Sequence, residues 1–511
     1  MGSITTKLQL QFSKNTTMIS AFANSMKVPE LRQRILFTLA MIVIVRLGVQ
    51  IPLPGIDINA LNHVIEQNSD TSGSGMGAIL TIFSGGALQQ CGLFTLGIMP
   101  YISASIMTQL LTAVVPQWSK MMREEGGRQK MTKWTRGIAI GIAIIQSWFL
   151  VNSLENPSQL QAIGLNFGDT QIVMNPGGLF AFTTILIAVV GTMFLMWIGD
   201  QITERGIGNG VSLIISVNII HALPGAISVA WKSLVYNDGV VNPMGAMVLV
   251  ALIVFLILVV AMVVTMTQAQ RRIPVQYAKR VVGNKMFNGA KQYLPLKLNY
   301  SGVMPVIFAT AILSLPSMLL RQIWPNSAFV AKFLAWIDPA STGFYVISGA
   351  MIFFFSYFWV ATMFQPSQIA EDLKRNGGYI PGIRPGPPTA SYLDQTMQRL
   401  TFAGAAFLTL LYFIPSLVTQ LGQIPFIVSQ FFGGTSLLIL VGVLLDMMRQ
   451  IETTLLARNY DGFLKKGKIK GKYSHLQGTG APATSKSVIT LWIVIAIVVL
   501  AATVWYTTVM G

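Results

Sequence analysis

FSGGALQQCGLFTLGIMPYISASIMTQLL, residues 83–111, joins two unlike kinds of chain. From Leu96 to Val115 the residues are apolar enough for a membrane-crossing helix, which needs about 20 residues to cover a hydrocarbon core of about 30 Å. Ahead of that run, 69–95 mixes Ser, Gly and Gln with apolar residues, and the pair Gly85–Gly86 weakens any helix there. Irregular backbone at membrane depth is tolerated only inside protein or beside a water-filled cavity, since lipid offers no hydrogen-bond partner. The stretch is therefore expected to pack within a helical bundle. An exterior loop dipping toward the membrane is the alternative.

Working outward, apolar runs of similar length recur. They are Ile35–Leu53, Trp134–Leu154, Leu179–Ile198, Val211–Val229, Met244–Thr267, Val303–Leu320, Gly343–Phe364, Leu400–Leu417 and Thr435–Met448. An eleventh, Val488–Met510, is almost wholly apolar. No connection between them is large enough for a soluble domain. The chain is 53% hydrophobic and 10% charged, against about 25% charged residues in soluble domains. Residues 1–17, MGSITTKLQLQFSKNTT, lack the apolar core of a cleavable signal and are expected to form a polar, flexible extension outside the fold.

Loop charge tests the span count independently. With the N-terminus inside, the inward-facing segments hold 31 of the 35 Lys and Arg. The outward-facing connections hold Lys232, Arg321 and Lys332, and Arg46 lies within the first span. That asymmetry fits the positive-inside rule, and a missed or invented span would scramble it. The net charge of +17 thus reads as topology and as attraction to anionic lipid or a ribosome, not to free nucleic acid. Ten spans divide into two sets of five. An odd number per half inverts the second half, as in folds with a site at the repeat interface.

Enzyme chemistry finds little material. His63, His221 and His475 are scattered, no HExxH is present, and Asp446 is a lone carboxylate near the end of the tenth span. No nucleophile elbow or phosphate-binding Gly-rich loop occurs, so nucleotide energy would come from a partner. The single Cys91 excludes an intramolecular disulfide. No catalytic residue, metal or cofactor is expected. Arg46 costs about 2.5–3.5 kcal/mol on insertion scales. It is read as snorkelling or held by a structural hydrogen bond, with a transport role as the alternative. The inside loops differ. Loop 268–301 carries Arg271, Arg272, Lys279 and Arg280, and loop 366–399 presents Arg384 on PGIRPG, where Gly and Pro fix the turns. A basic residue on a rigid tip suits docking to an acidic partner or RNA phosphate, while a solvated loop that merely sets topology is the plainer reading.

The strings QIPLPGID (50–57), FSGGALQQCGLFTLGIMPYISASIMTQLL (83–111), QITERGIGNGVSLII (201–215), QRRIPVQYAKR (270–280), PGIRPG (381–386) and GGTSLLILVGVLLD (433–446) resemble the SecY family, the channel subunit of the bacterial Sec translocon. The resemblance runs from about Met18 to Leu464. It implies an all-α, ten-helix channel of two inverted five-helix halves, 18–233 and 234–464, in the bacterial plasma membrane with a cytoplasmic N-terminus. Residues 77–94, including Ser84, Gly85, Gly86, Ala87 and Leu88, match the family's plug. Ile98, Ile102, Ile215, Ile219, Ile307 and Ile439 match its pore ring, where apolar side chains exclude water and ions yet flex around a passing chain.

The same resemblance places Gln109 and Gln146 at a side gate into lipid, where a hydrogen bond between helices would bias the gate closed. It ties Arg384, with Arg271, Arg272, Lys279 and Arg280, to docking of a ribosome or a SecA-like motor. SecE-like and SecG-like subunits are implied as partners, and secretory and membrane proteins with signal sequences as cargo. The pattern departs from the family after Leu464. A basic tail and linker, 465–487, lead into the eleventh apolar run, 488–511, which would put the C-terminus outside. The readings in competition are a secondary transporter built around Arg46 and an intramembrane hydrolase.

Overall fold

In the computed structural model the described residues are 28–61, 81–155, 172–237, 240–241, 243–277, 280–282, 285–287, 291–324, 327–338, 341–422, 424–433 and 435–465. The expected polar extension 1–17, residues 77–80 of the expected plug, Lys279, the tail 466–487 and the eleventh run fall outside them. The chain divides into a unit ending at Ile451 and a second beginning at Glu452. The second is described only as helix, through Lys465. All other described elements belong to the first.

Fourteen α-helices of eight residues or more are present among the described residues. They are α1 Pro29–Gln50, α2 Met99–Val114, α3 Pro116–Arg123, α4 Gly127–Glu155, α5 Gly178–Arg205, α6 Gly210–Ala230 and α7 Pro243–Gln268. They continue as α8 Met304–Ile323, α9 Ala328–Trp336, α10 Thr342–Met363, α11 Pro366–Arg375, α12 Pro387–Gly422, α13 Phe426–Gly433 and α14 Thr435–Lys465. Each of the ten expected spans through Met448 falls on one of them. Eight helices are long and apolar enough to cross a membrane by length and composition. The spans outside that set are α2, of 16 residues, and α8, of 20.

The helix starts follow local chemistry. Proline occupies the first or second position of α1, α2, α3, α8 and α11, where its missing N–H is not needed. Asn209 caps α6 by accepting from the Ser212 N–H, and Ser341 caps α10 by accepting from Phe344. Outward faces are apolar, as lipid requires. On α7, for example, Met247, Val250, Ile253 and Ile257 are exposed.

Packing is sequential, with two long-range closures. α2 lies on α4, α4 on α5, α5 on α6, α8 on α10 and α10 on α12. α2 also packs on α8, and α13 bridges α6 and α7. One apolar core draws on α1, α2, α5, α6, α8, α13 and α14. A second joins α7, α8, α10, α12 and α14.

The two basic loops are not loops throughout. β1 Gln270–Tyr277 pairs antiparallel with β2 Lys291–Lys297 on one side and with β3 Gly378–Tyr379 on the other. Ile273, Val275 and Leu296 turn inward onto Val360, Phe364, Ile380, Leu393 and Met397. Period-two burial thus decides a segment whose charge reads as solvated chain.

Candidate functional site

The six isoleucines that match the family's ring come from α2 and the residue before it, α6, α8 and α14, and share one apolar cluster. Ile98 precedes α2 and Ile102 lies one turn in; Ile215 and Ile219 are a turn apart on α6; Ile307 and Ile439 occupy the first turns of α8 and α14. All six are buried in one cluster, with Ile439 at 0% exposure. Ile98 with Ile102, and Ile215 with Ile219, are four apart and so lie along one side of their segments.

Residues 81–84 form a single helical turn, and turns continue to Ile98. Ile82, Phe83 and Ala87 are buried in the same cluster as the isoleucines. Gly85 and Gly86 adopt φ of +66° and +87°, which glycine reaches without the steric cost other residues meet. Cys91, at φ +44°, is the one non-glycine residue with positive φ among the described residues. It is held where the Leu53 N–H donates to its carbonyl at 2.9 Å. Ser84 is buried, and its hydroxyl donates to the Thr81 carbonyl and accepts from the Leu88 N–H. Leu88 packs against a third cluster with Leu53, Ile56 and Phe180.

Nothing in the linear order of residues joins Arg46 to Asn218, yet both reach this segment. Arg46 Nη2 donates to the Gly85 carbonyl at 3.2 Å and Nη1 to Asn218 Oδ1 at 3.3 Å. Asn218 Nδ2 donates to the Phe83 carbonyl at 2.8 Å. Arg46 is thus engaged by a structural hydrogen bond. Asn218 carried a legible signal, a polar residue inside the run Val211–Val229, but its partner is set only by tertiary packing.

On the side carrying the basic loops, a cavity of about 510 Å³ opens against the isoleucine cluster. Thr203, Asn209, Ser212, Asn299, Asp446 and Arg449 give it a polar wall, and Val303 and Val443 form its apolar end. This vestibule runs from a polar wall to an apolar end whose residues pack in or against the isoleucine cluster.

Gln146 on α4 is buried and Gln109 on α2 is half-buried. The expected amide bond between helices is not formed by Gln109: its Nε2 donates to Ser105 Oγ of its own helix at 3.2 Å, and its Oε1 is buried with no partner. An i, i+4 partner on the same helix satisfies the donor first. Arg271, Arg272 and Arg384 are exposed. Arg384 sits between Gly382 and Gly386, both at positive φ, and its carbonyl accepts from Thr389 Oγ1 at 2.8 Å. Arg280 lies on a short strand, Arg280–Val282, paired with Lys285–Phe287. No cluster of three or more metal-ligating side chains is found among the described residues.

A family model described as SecY matches residues 92–448. The protein translocase subunit SecY of Thermotoga maritima is 40% identical over 459 residues, 89% of this chain and all of the relative. That of Mycobacterium tuberculosis is 38% identical over 461 residues, 88% of this chain and all of the relative. Among solved structures, one described as a protein conducting channel superposes with a TM-score of 0.54 at 18% identity, covering 86% of this chain and 95% of its own. Sec61 in the canine ribosome-channel complex from the endoplasmic reticulum gives 0.53 at 18%, with the same coverage. The fold of these structures and the sequence of those relatives converge: this chain is a multi-pass membrane protein belonging to the SecY family.

Proposed function

We propose that this chain is the conduit through which unfolded secretory polypeptides cross the plasma membrane, and from which apolar segments leave sideways into lipid. The observation that carries this reading is the burial of the six isoleucines in one dry cluster with Phe83 and Ala87. A constriction of apolar side chains repels water and ions, and its flexible rim admits a chain of any sequence. The vestibule receives the chain; the segment 77–94 serves as the plug and must leave for the path to open. The helices α2 and α8, packed on one another, form one side of the exit into lipid.

Drive comes from outside, since the sequence offers no nucleotide site. The exposed Arg271, Arg272 and Arg384, with Lys279 and Arg280, form the docking face for a ribosome or SecA-like motor. The sheet that joins the two loops supports this, because it holds both sets of charges on one framework. SecE-like and SecG-like subunits complete the assembly, anionic lipid of the inner leaflet supports the basic face, and 18–233 and 234–464 act as the two halves.

The test is reconstitution with partner subunits and a motor ATPase in vesicles, followed by protease protection of an added secretory precursor. Protection that needs both ATP and this chain supports the reading. Absence of protection, with the chain assembled with its partners, removes it.

A further inference from the structure

We propose that Arg46 and Asn218 are positioning residues that latch the plug shut and so set how strong a signal sequence must be to open the channel. The proposal rests on the channel reading of the isoleucine cluster. The helical turn 81–84 ends at Gly85 and Gly86, and the end of any helix leaves carbonyls without intrahelical donors. Two of these, at Phe83 and Gly85, are satisfied by Asn218 Nδ2 at 2.8 Å and Arg46 Nη2 at 3.2 Å. A cation beside the carbonyl end of a helical turn is also favoured by the aligned peptide dipoles.

The donors come from α1 and α6, and the acceptors belong to neither helix. Both acceptors are backbone atoms, so the latch senses the folded shape of the plug and not its side chains. Asn218 is adjacent to Ile219 of the isoleucine cluster, which couples constriction and latch through one turn of α6. When the plug leaves, both bonds to it are lost together, and the incoming signal segment must compensate. The Arg46 Nη1 to Asn218 Oδ1 bond joins the two helices and need not break, which keeps the cation partnered and the latch ready to reclose. His221, one turn along α6, flanks the same segment on the Gly86 side.

The experiment measures translocation of a reporter precursor with a defective signal sequence, beside one with an intact signal, in vesicles of the assembled channel. Arg46→Gln and Asn218→Ala are each expected to raise export of the defective precursor about tenfold, equivalent to ~1.4 kcal/mol. Export of the intact precursor stays unchanged. The double variant exceeds the larger single variant little, because the two residues share one acceptor segment. Arg46→Lys, which keeps the charge but not the fork, restores stringency in part.

Gly85→Ala attacks the latch from the plug side. A Cβ there meets Asn218 Oδ1 and lies 2.7 Å from Arg46 Nη1, so this variant reports even if a helix variant fails to accumulate. Background export of the defective precursor in Asn218→Ala and Gly85→Ala, both at normal protein level, overturns the latch. Ile307→Asn runs alongside. If it relaxes stringency while the latch variants do not, the latch alone is wrong; if no variant alters export of either precursor, the channel reading fails with it.

Discussion

Phe94 fills the notch that Gly48 leaves in α1: a Cβ built on Gly48 overlaps the phenyl ring, and Phe94 is itself buried. The downstream end of the segment 81–98 is therefore keyed into the first helix. Backbone bonds reinforce it, with Leu93 N–H donating to Ile51 at 2.7 Å and Leu53 N–H to Cys91 at 2.9 Å. This end of the segment is anchored to α1 and the residues just after it by side chain and backbone alike.

Gly48→Ala is expected to cost about 1–3 kcal/mol, as overpacking of a filled core does. The thermal midpoint of the purified protein in detergent should fall by several degrees. Gly141→Ala, on α4 with open space around its Cβ position, should leave it unchanged. Equal midpoints for the two variants would contradict the keyed anchor.

Ile307→Asn or Ile439→Asn places an amide among apolar neighbours, and an unpaired buried amide costs about 1–3 kcal/mol. Water entry relieves that cost. Ion leak through the resting channel should rise, and precursors with defective signals should be exported. Tight channels with unaltered stringency would count against the constriction.

Arg384→Glu reverses the charge on the rigid PGIRPG tip. Like-charge juxtaposition at an interface costs several kcal/mol, so export should fall by about tenfold or more. Assembly with partner subunits should be intact, because the side chain is exposed. Normal export would show that docking lies elsewhere.

Arg136 and Asp200, 2.6 Å apart across α4 and α5, are both partly exposed. Exposed ion pairs contribute about 0–1 kcal/mol. Arg136→Ala should change the thermal midpoint by no more than a degree or two, and a large drop would mean the pair is sheltered in the assembled complex.

Much of this fold is legible in the chain because lipid enforces it. A long apolar run has few alternatives to a helix, so the ten runs from Ile35 to Met448 fall on helices, while the glycine-containing stretch after residue 84 runs as turns up to α2. The sheet joining 268–301 to 378–379 was hidden by its charge. Only Ile273 and Val275, set either side of Pro274 after two arginines, show the alternation, too few to outweigh a reading as loop. The isoleucines became a group only through resemblance, since apolar residues at helical spacing are everywhere in such a chain. Arg46 announced a need for partners, but a need does not name them; Asn218, 172 positions away, is supplied by packing alone. At Gln109 the nearest partner is local: Ser105 on its own helix takes the donor, and the carbonyl oxygen is left without one.

The most direct measurement is site-specific cross-linking of a stalled secretory chain to single cysteines at positions 102, 219, 307 and 439, in a background with Cys91→Ala. The account predicts adducts at all four while the chain is engaged, and none at the lipid-facing Val250. Adducts at Val250 but not at the four isoleucine positions would contradict it.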